Sequence, residues 1–401
     1  MTATREHPGR GASPRTARAI NDRLALSLLQ REGPLTAGRL KELTGMSRPS
    51  VADLVERLRE SGLIEVVGES AETRRGPRAR IYGIVADRAY VAGLDVRVES
   101  VGVEIADLLG RTVLRDEWAV PPGADPARVV EDGVALLLGA VERSGTGGRL
   151  HTAALGAPGL VDPGTGRLSP FGALPAWHGA LVDELRARLG VPVLLENEVN
   201  LAAVAEQRVR NFGDETFVLL WIGGGVGASV VLDGRLRRGA SGGAGEVGFL
   251  PVPAEGGLPT AADCDHGYHG MVGSRAVCAL ARAHGLAAAG GPQDADAAAD
   301  AVRAAVERPG AGAFLDELAG RIAVGAAAVC AVLDPGRVVL AGEVGEAGGA
   351  RLAARTGAAF ARISPLRTSF ETTAVRGGAI LRGAVITAME AAQSDLFAPA
   401  V

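Results

Sequence analysis

Residues 40–51 read LKELTGMSRPSV, and this run decides how the head of the chain folds. Gly45 supplies a turn between two short segments of helical period. Upstream of it, Thr36 is placed to cap a helix that buries Leu40 and Leu43. Downstream, Ser47 is placed to cap a further helix whose Val51, Leu54, Val55 and Leu58 form one apolar stripe. Working outward, Ile20, Leu24 and Leu28 recur at i+4 with Leu29 adjoining, and Gly33-Pro34 ends that first helix. Gly62 stops the third. Leu63–Val67 and Arg80–Val85 then read as two strands joined by a polar loop. Two short helices around a glycine turn, followed by a hairpin, predict a winged helix-turn-helix over residues 18–86. Residues 1–17, rich in Gly, Pro, Arg and Thr, predict a flexible arm.

The chemistry of this head suits DNA. Ser47, Arg48 and Ser50 open the third helix outside its apolar stripe, so its N-terminus can approach phosphates and base edges. Arg74, Arg75, Arg78 and Arg80 surround Gly76-Pro77 in the hairpin loop, where guanidinium groups reach backbone phosphate or a minor groove. Asp53 and Glu56, one turn along, disfavour phosphate and are expected to face away from it or to read cytosine. The other reading is a small dimerisation module with an exposed basic loop.

Charge separates the head from the rest. The 401 residues carry a net charge of −4, yet residues 1–85 hold 15 basic and 10 acidic side chains, so the remainder carries −9. A basic head on an acidic body predicts that the head alone meets a polyanion. Hydrophobic residues make up 47% and charged residues 22%, the mix of a globular protein with a sizeable core. The run from Phe217 to Leu232 is too short and too interrupted by glycine to span a bilayer. The opening MTATREHPGR lacks the apolar centre of a signal peptide. The three cysteines have no disulfide spacing. A cytoplasmic protein is expected.

From Tyr90 the pattern becomes an alternation of strands and helices. Tyr90–Asp95, Val101–Ala106 and Arg111–Trp118 read as a meander, followed by a helix over Ala127–Val141 and a strand over His151–Gly156. Leu181–Leu189 is helical and Val191–Leu195 a buried strand. A second meander starts with Phe217–Ile222 and Ala228–Leu232, with Asp233-Gly234 as hairpin turn. A repeated meander-plus-helix unit predicts two similar lobes with a cleft between them.

The ordered segments now on view are Leu43-Thr44-Gly45-Met46-Ser47, Arg75-Gly76-Pro77, Gly156-Ala157-Pro158-Gly159-Leu160-Val161 and Glu196-Asn197-Glu198-Val199-Asn200. Gly223-Gly224-Gly225-Val226-Gly227-Ala228, Asp233-Gly234-Arg235-Leu236, Ala244-Gly245-Glu246-Val247-Gly248 and Leu333-Asp334-Pro335 complete them. In this order and spacing the chain resembles the ROK family of repressors and sugar kinases, and within it the xylose and N-acetylglucosamine repressor branch. The resemblance implies an α/β fold: an N-terminal winged helix-turn-helix followed, over residues 87–401, by a two-lobed actin-like (RNase H-like) domain of the ATPase and sugar-kinase type. It implies a homodimer or tetramer on palindromic operator DNA.

Against that family the chain departs at the places that carry kinase chemistry. ROK kinases follow their first strand with Asp-Ile-Gly-Gly-Thr, a phosphate loop. Here the place reads Asp95-Val96-Arg97-Val98-Glu99-Ser100, without the glycines a close turn needs and with Glu99 set against a triphosphate. Gly223 to Gly227 survives as a second glycine run, read as a turn between strands. Glu198 stands where the kinases carry their base, an aspartate; its longer reach misplaces a proton acceptor. The family's zinc cluster is replaced by Cys264-Asp265-His266-Gly267-Tyr268-His269-Gly270-Met271. Phe249 takes the place of a histidine ligand, so the zinc site is expected to be lost, with Cys264, His266 and His269 as the remaining candidates. Cys278 and Cys330 read as buried small hydrophobes. Sugar contacts are eroded at Ala173, Phe249 and Gly273, while Gly159, Asn197, Glu198 and Glu246 remain as candidate effector contacts. No cofactor is expected. These readings converge on a DNA-binding regulator of repressor type, with a non-catalytic body that binds a small effector other than a plain hexose, or none. The alternatives are a sugar kinase with an appended DNA-binding head and a module whose head binds protein.

Overall fold

The computed structural model describes residues 14–70, 78–169, 175, 177–253, 258–260, 264–286 and 294–397. The head opens with helix α1 (Pro14–Glu32), the two-residue strand β1 (Leu35–Thr36), α2 (Ala37–Thr44) and α3 (Arg48–Glu60), then strands β2 (Ile64–Glu69) and β3 (Arg80–Ile84). The three strands form one sheet in the order β1-β3-β2. Local chemistry accounts for the turn. The Thr36 hydroxyl accepts from the Arg39 N–H at 3.1 Å, Gly45 adopts φ +69° at the end of α2, and Ser47 caps α3 by accepting from the Ser50 N–H. Val51, Leu54, Val55 and Leu58 are buried as one stripe.

Two details of the head differ from the sequence reading. Helix α1 starts at Pro14, so residues 14–17, expected in a flexible arm, belong to it. Its core face is only partly as expected. Leu28 and Leu29 are buried, and Ala25 and Leu26 join them, whereas Ile20 and Leu24 are 58% and 42% exposed. Packing, not periodicity, decided which residues of the stripe reach the core.

The body contains the predicted repeat. The first lobe comprises β4 (Tyr90–Val96), β5 (Ser100–Asp107), β6 (Thr112–Ala119), α4 (Pro126–Arg143), β7 (Leu150–Ala157), α5 (Trp177–Arg188), β8 (Val193–Asn197) and α6 (Glu198–Arg210). The second comprises β9 (Phe217–Ile222), β10 (Val226–Leu232), β11 (Arg235–Arg237), α7 (His269–Val272), α8 (Ser274–Ala283), α9 (Ala295–Glu307), α10 (Gly312–Leu333), β12 (Arg337–Ala341), α11 (Gly342–Ile363), β13 (Ser369–Thr372) and α12 (Ala379–Leu396). The two sheets have orders β6-β5-β4-β7-β8 and β11-β10-β9-β12-β13. In each, an antiparallel meander is extended by two parallel strands, so the two orders are the same once renumbered.

Helices α6 and α12 pack between the sheets. Their Leu201, Ala205, Ile380, Val385 and Met389 share one core with Val91 of the first sheet and Leu219 of the second. Helix α12 then runs on to the head. Phe397, directly after it, is 6% exposed and belongs to the head's core with Leu26, Leu29, Leu58 and Ile64. One helix thus lies against both lobes and ends inside the third unit.

Candidate nucleic-acid interface and interlobe cavity

At the head, Ser47, Arg48, Pro49 and Ser50 are all exposed on the first turn of α3. Arg48 forms no ion pair among the described residues and is available to a partner. The two serines are partly committed: their hydroxyls pair at 2.8 Å while Ser47 also serves as the cap. Asp53 and Glu56 are neutralised within the helix, Asp53 by Arg57 and Glu56 by Arg59 at 3.3 Å. Arg57 reaches Asp22 of α1 as well, at 2.6 Å, so these acids lock the head and leave Arg48 as the cation of the leading turn. Arg78 and Arg80 are exposed at the start of β3. Arg74 and Arg75 lie outside the described residues.

Between the lobes lies a cavity of about 740 Å³, reached by Arg97 and Glu99 from the first lobe, Glu198 from α6, Gly224 and Gly225 from the β9–β10 turn, and Glu343 from α11. The two segments corresponding to kinase phosphate loops therefore do face one space. What fills the phosphate path is an ion-pair chain. Arg97 Nε donates to Asp95 Oδ2 at 3.1 Å, and its Nη1 donates to Glu343 Oε1 at 3.1 Å, across the cleft. Glu343 lies directly on the glycine turn: a Cβ at Gly223 would stand 1.9 Å from its Oε2. The glycine run thus has a structural reason at Gly223, which admits a carboxylate. Gly225 has open space where its Cβ would be.

Titration behaviour follows from this crowding. Burial, opposed only in part by Arg97, raises the Asp95 carboxyl above its usual range. Burial works against the charge on Arg97, but Asp95 and Glu343 outweigh it and hold the guanidinium above its usual range. Glu198 is pushed up to about 8, by burial first and then by the nearby charge of Asp95. The folded state therefore keeps a proton on Glu198 that the unfolded chain releases near its ordinary value of 4.5. Stability from this group is present below that value and is lost as pH rises through about 8. Glu198→Gln is expected to raise the melting temperature relative to the natural chain at pH 9, with little difference at pH 4, as read by thermal denaturation across pH.

The other candidate effector contacts are drawn elsewhere. The Asn197 side chain caps α6, accepting from the Val199 and Asn200 N–H groups at 2.9 and 3.2 Å, and its amide donates to the Gly159 carbonyl at 3.1 Å. Gly159 takes φ +106° to permit this. Glu246 ends the segment before a short helical turn, Val247–Phe249, and burial raises its carboxyl. Of the four, Glu198 alone lines the cavity. Arg97, Glu343 and Ile380, all cavity residues, were not singled out from sequence; the signal for Glu343 was a Gly-Glu pair directly after an apolar strand.

Of the zinc candidates, Cys264 is partly buried and His269 Nε2 lies 4.0 Å from Asp265 Oδ1. His266 is exposed. Tyr268 is buried with its hydroxyl donating to the Ile322 carbonyl at 2.9 Å. Among the described residues no group of three His, Cys, Asp or Glu side chains is placed to hold an ion. Cys278 and Cys330 are buried in the core of the second lobe.

Residues 91–385 match the ROK family. The chain belongs to the ROK family. Its head, residues 14–76, matches the MarR family. Among relatives of this ROK protein, the putative xylose repressor of Caldicellulosiruptor sp. (strain Rt8B.4) is 23% identical over 235 residues, 58% of this chain and 59% of the relative. The glucokinase of Halalkalibacterium halodurans is 30% identical over 181 residues, 44% of this chain and 53% of the relative. The chain thus spans under two thirds of the curated relatives it matches. A solved ROK family transcriptional regulator, described as a homologue of the E. coli MLC protein, superposes with a TM-score of 0.74 at 18% identity, covering 95% of this chain and 98% of that one. That likeness establishes the fold of head and body together. No helix among the described residues is long and apolar enough to cross a membrane.

Proposed function

We propose that this protein is a cytoplasmic DNA-binding transcriptional regulator, a repressor in type, whose winged head reads a palindromic operator as a homodimer or tetramer. Its body responds to a small effector in the interlobe cavity and transfers no phosphate. The observation that carries the reading is the pairing of an exposed, cationic first turn on α3 with a phosphate path closed by Arg97 and Glu343. The repressor relative supports the first half. The glucokinase relative keeps a kinase with a DNA-binding head as the second reading, but Glu343 against the glycine turn opposes a triphosphate.

Electrophoretic shift with the DNA upstream of its own gene tests the proposal. A specific complex at moderate salt is expected, together with no phosphorylation of hexose or amino sugar from ATP. No shift on any upstream fragment, or brisk nucleotide consumption with a carbohydrate, would defeat it. Two arginines should behave differently. Arg48→Ala is expected to cost about 1–3 kcal/mol against operator and little against random DNA. Arg80→Ala is expected to weaken both alike and to reduce the salt slope by about one. Titrations at several salt concentrations read both effects.

A further inference from the structure

We infer that the body is clasped shut by its own side chains, through two reciprocal arginines, so that the movement open to regulation is the parting of the lobes. The inference goes beyond the function proposed above, which names an effector cavity but no motion. Arg97, in the turn between β4 and β5 of the first lobe, donates to Glu343 of the second lobe at 3.1 Å. Arg238, directly after β11 of the second lobe, donates to Glu196 on β8 of the first at 2.6 Å. Each lobe thus lends the other one cation. Arg97 and Glu343 line the cavity, whereas Arg238 and Glu196 do not, so the lobes are held at two separate places.

An ordinary surface ion pair is weak because two long side chains must be ordered to make it. Here the ends are already seated. Arg97 is held from behind by Asp95, at 3.1 Å. Glu343 is on the first turn of α11, in the space that Gly223 leaves by lacking a Cβ. Glu196 is buried and accepts from the Asn197 N–H and the Asn200 side chain, each at 2.9 Å. Arg238 opens a loop whose Gly242 rests on first-lobe backbone, where a Cβ would collide with the Val161 carbonyl. Groups fixed in this way meet at one lobe separation. Each lobe is built on its own sheet, so a movement that parts them breaks both pairs together. Helices α6 and α12, packed in the core between the sheets, are what such a movement turns on. Because α12 passes from Ile380 at the cavity to Phe397 in the head, the lobe angle bears on the head.

Amide hydrogen exchange on the full-length, DNA-free protein tests this. If one movement breaks both pairs, removing either lowers the cost of the same opening, and amides that exchange through it respond at both places alike. Arg97→Ala is expected to speed exchange about tenfold, the loss of one charge-assisted hydrogen bond, at Gly223 and Ser274 beside Glu343 and equally at Ala244 beside Arg238. These amides are hydrogen-bonded in the closed arrangement, to Gly225, Gly223 and Arg238 respectively. Arg238→Ala should give the same pattern, and the double variant should approach about a hundredfold at both places. Amides of α4, which lines no part of the cavity, should keep their rates. Glu343→Gln cuts the first pair from the other lobe, leaves Asp95 with Arg97, and gives the same reading should Arg97→Ala fail to fold. The inference is overturned if each arginine affects its own side alone, if the double variant exchanges no faster than the single ones, or if α4 accelerates along with the cleft in Glu343→Gln. Because no DNA is present, such a failure stays separate from a failure to shift operator DNA.

Discussion

Phe397→Ala is expected to strip about 3–5 kcal/mol from the head, the cost of emptying a buried phenylalanine site. Phe397 comes from the far end of the chain, yet it is buried in the core formed by α1, α3 and β2. A small three-helix unit has little apolar area to lose, so the loss should appear as unfolding of the head with the body intact. Amide hydrogen exchange would show α3 losing protection while β4 and β9 keep theirs. Affinity for operator DNA should fall in parallel, because α3 then spends time unfolded. Phe397→Leu, which keeps most of the volume, should recover most of both. An alanine variant whose α3 amides exchange at the natural rate would show that the head does not depend on this contact.

The fate of Phe397 also shows where reading the sequence stops. Elements set by local chemistry were legible: the Thr36 and Ser47 caps, the Gly45 turn and the two meanders all lie within a few residues of the strands and helices expected, because hydrogen bonds between near neighbours fix them. The repeat of a meander followed by helices was legible for the same reason, since each strand keeps its own period. Contacts between distant segments were not. Arg97 and Glu343 are 246 positions apart, and nothing in the period of either segment announces the other. Some residues have two possible uses. Asn197 was expected at the effector, but an asparagine ahead of a helical segment is a capping signal, and the structure uses it so. Ile20 and Leu24 continue the ladder of Leu28 and Leu29, yet the core takes Ala25 and Leu26 in their place. Glu198 was found because the family positions a carboxylate there; its raised pKa has causes in the fold.

The same helix that delivers Phe397 sets the second large expectation, Gly383→Ala. In an isolated helix this exchange stabilises by about 1 kcal/mol. Here a Cβ at position 383 would stand 1.9 Å from the Leu201 carbonyl oxygen and 2.5 Å from its carbon. Those atoms are backbone of α6 and have no rotamer to yield with, so α12 must lift from its seat. The cost is expected to reach or exceed the 1–3 kcal/mol or so of ordinary overpacking. The movement would also disturb both ends of α12, since Ile380 lines the cavity and Phe397 fills the head. Gly320, inside α10, has nothing within 4 Å of its would-be Cβ, and Gly320→Ala should follow the helical preference and stabilise. Thermal denaturation should therefore rank Gly320→Ala above the natural chain and Gly383→Ala well below it, with operator affinity falling only in the second. If the two variants melted together, the close seating of α12 on α6 would not be what joins cavity to head.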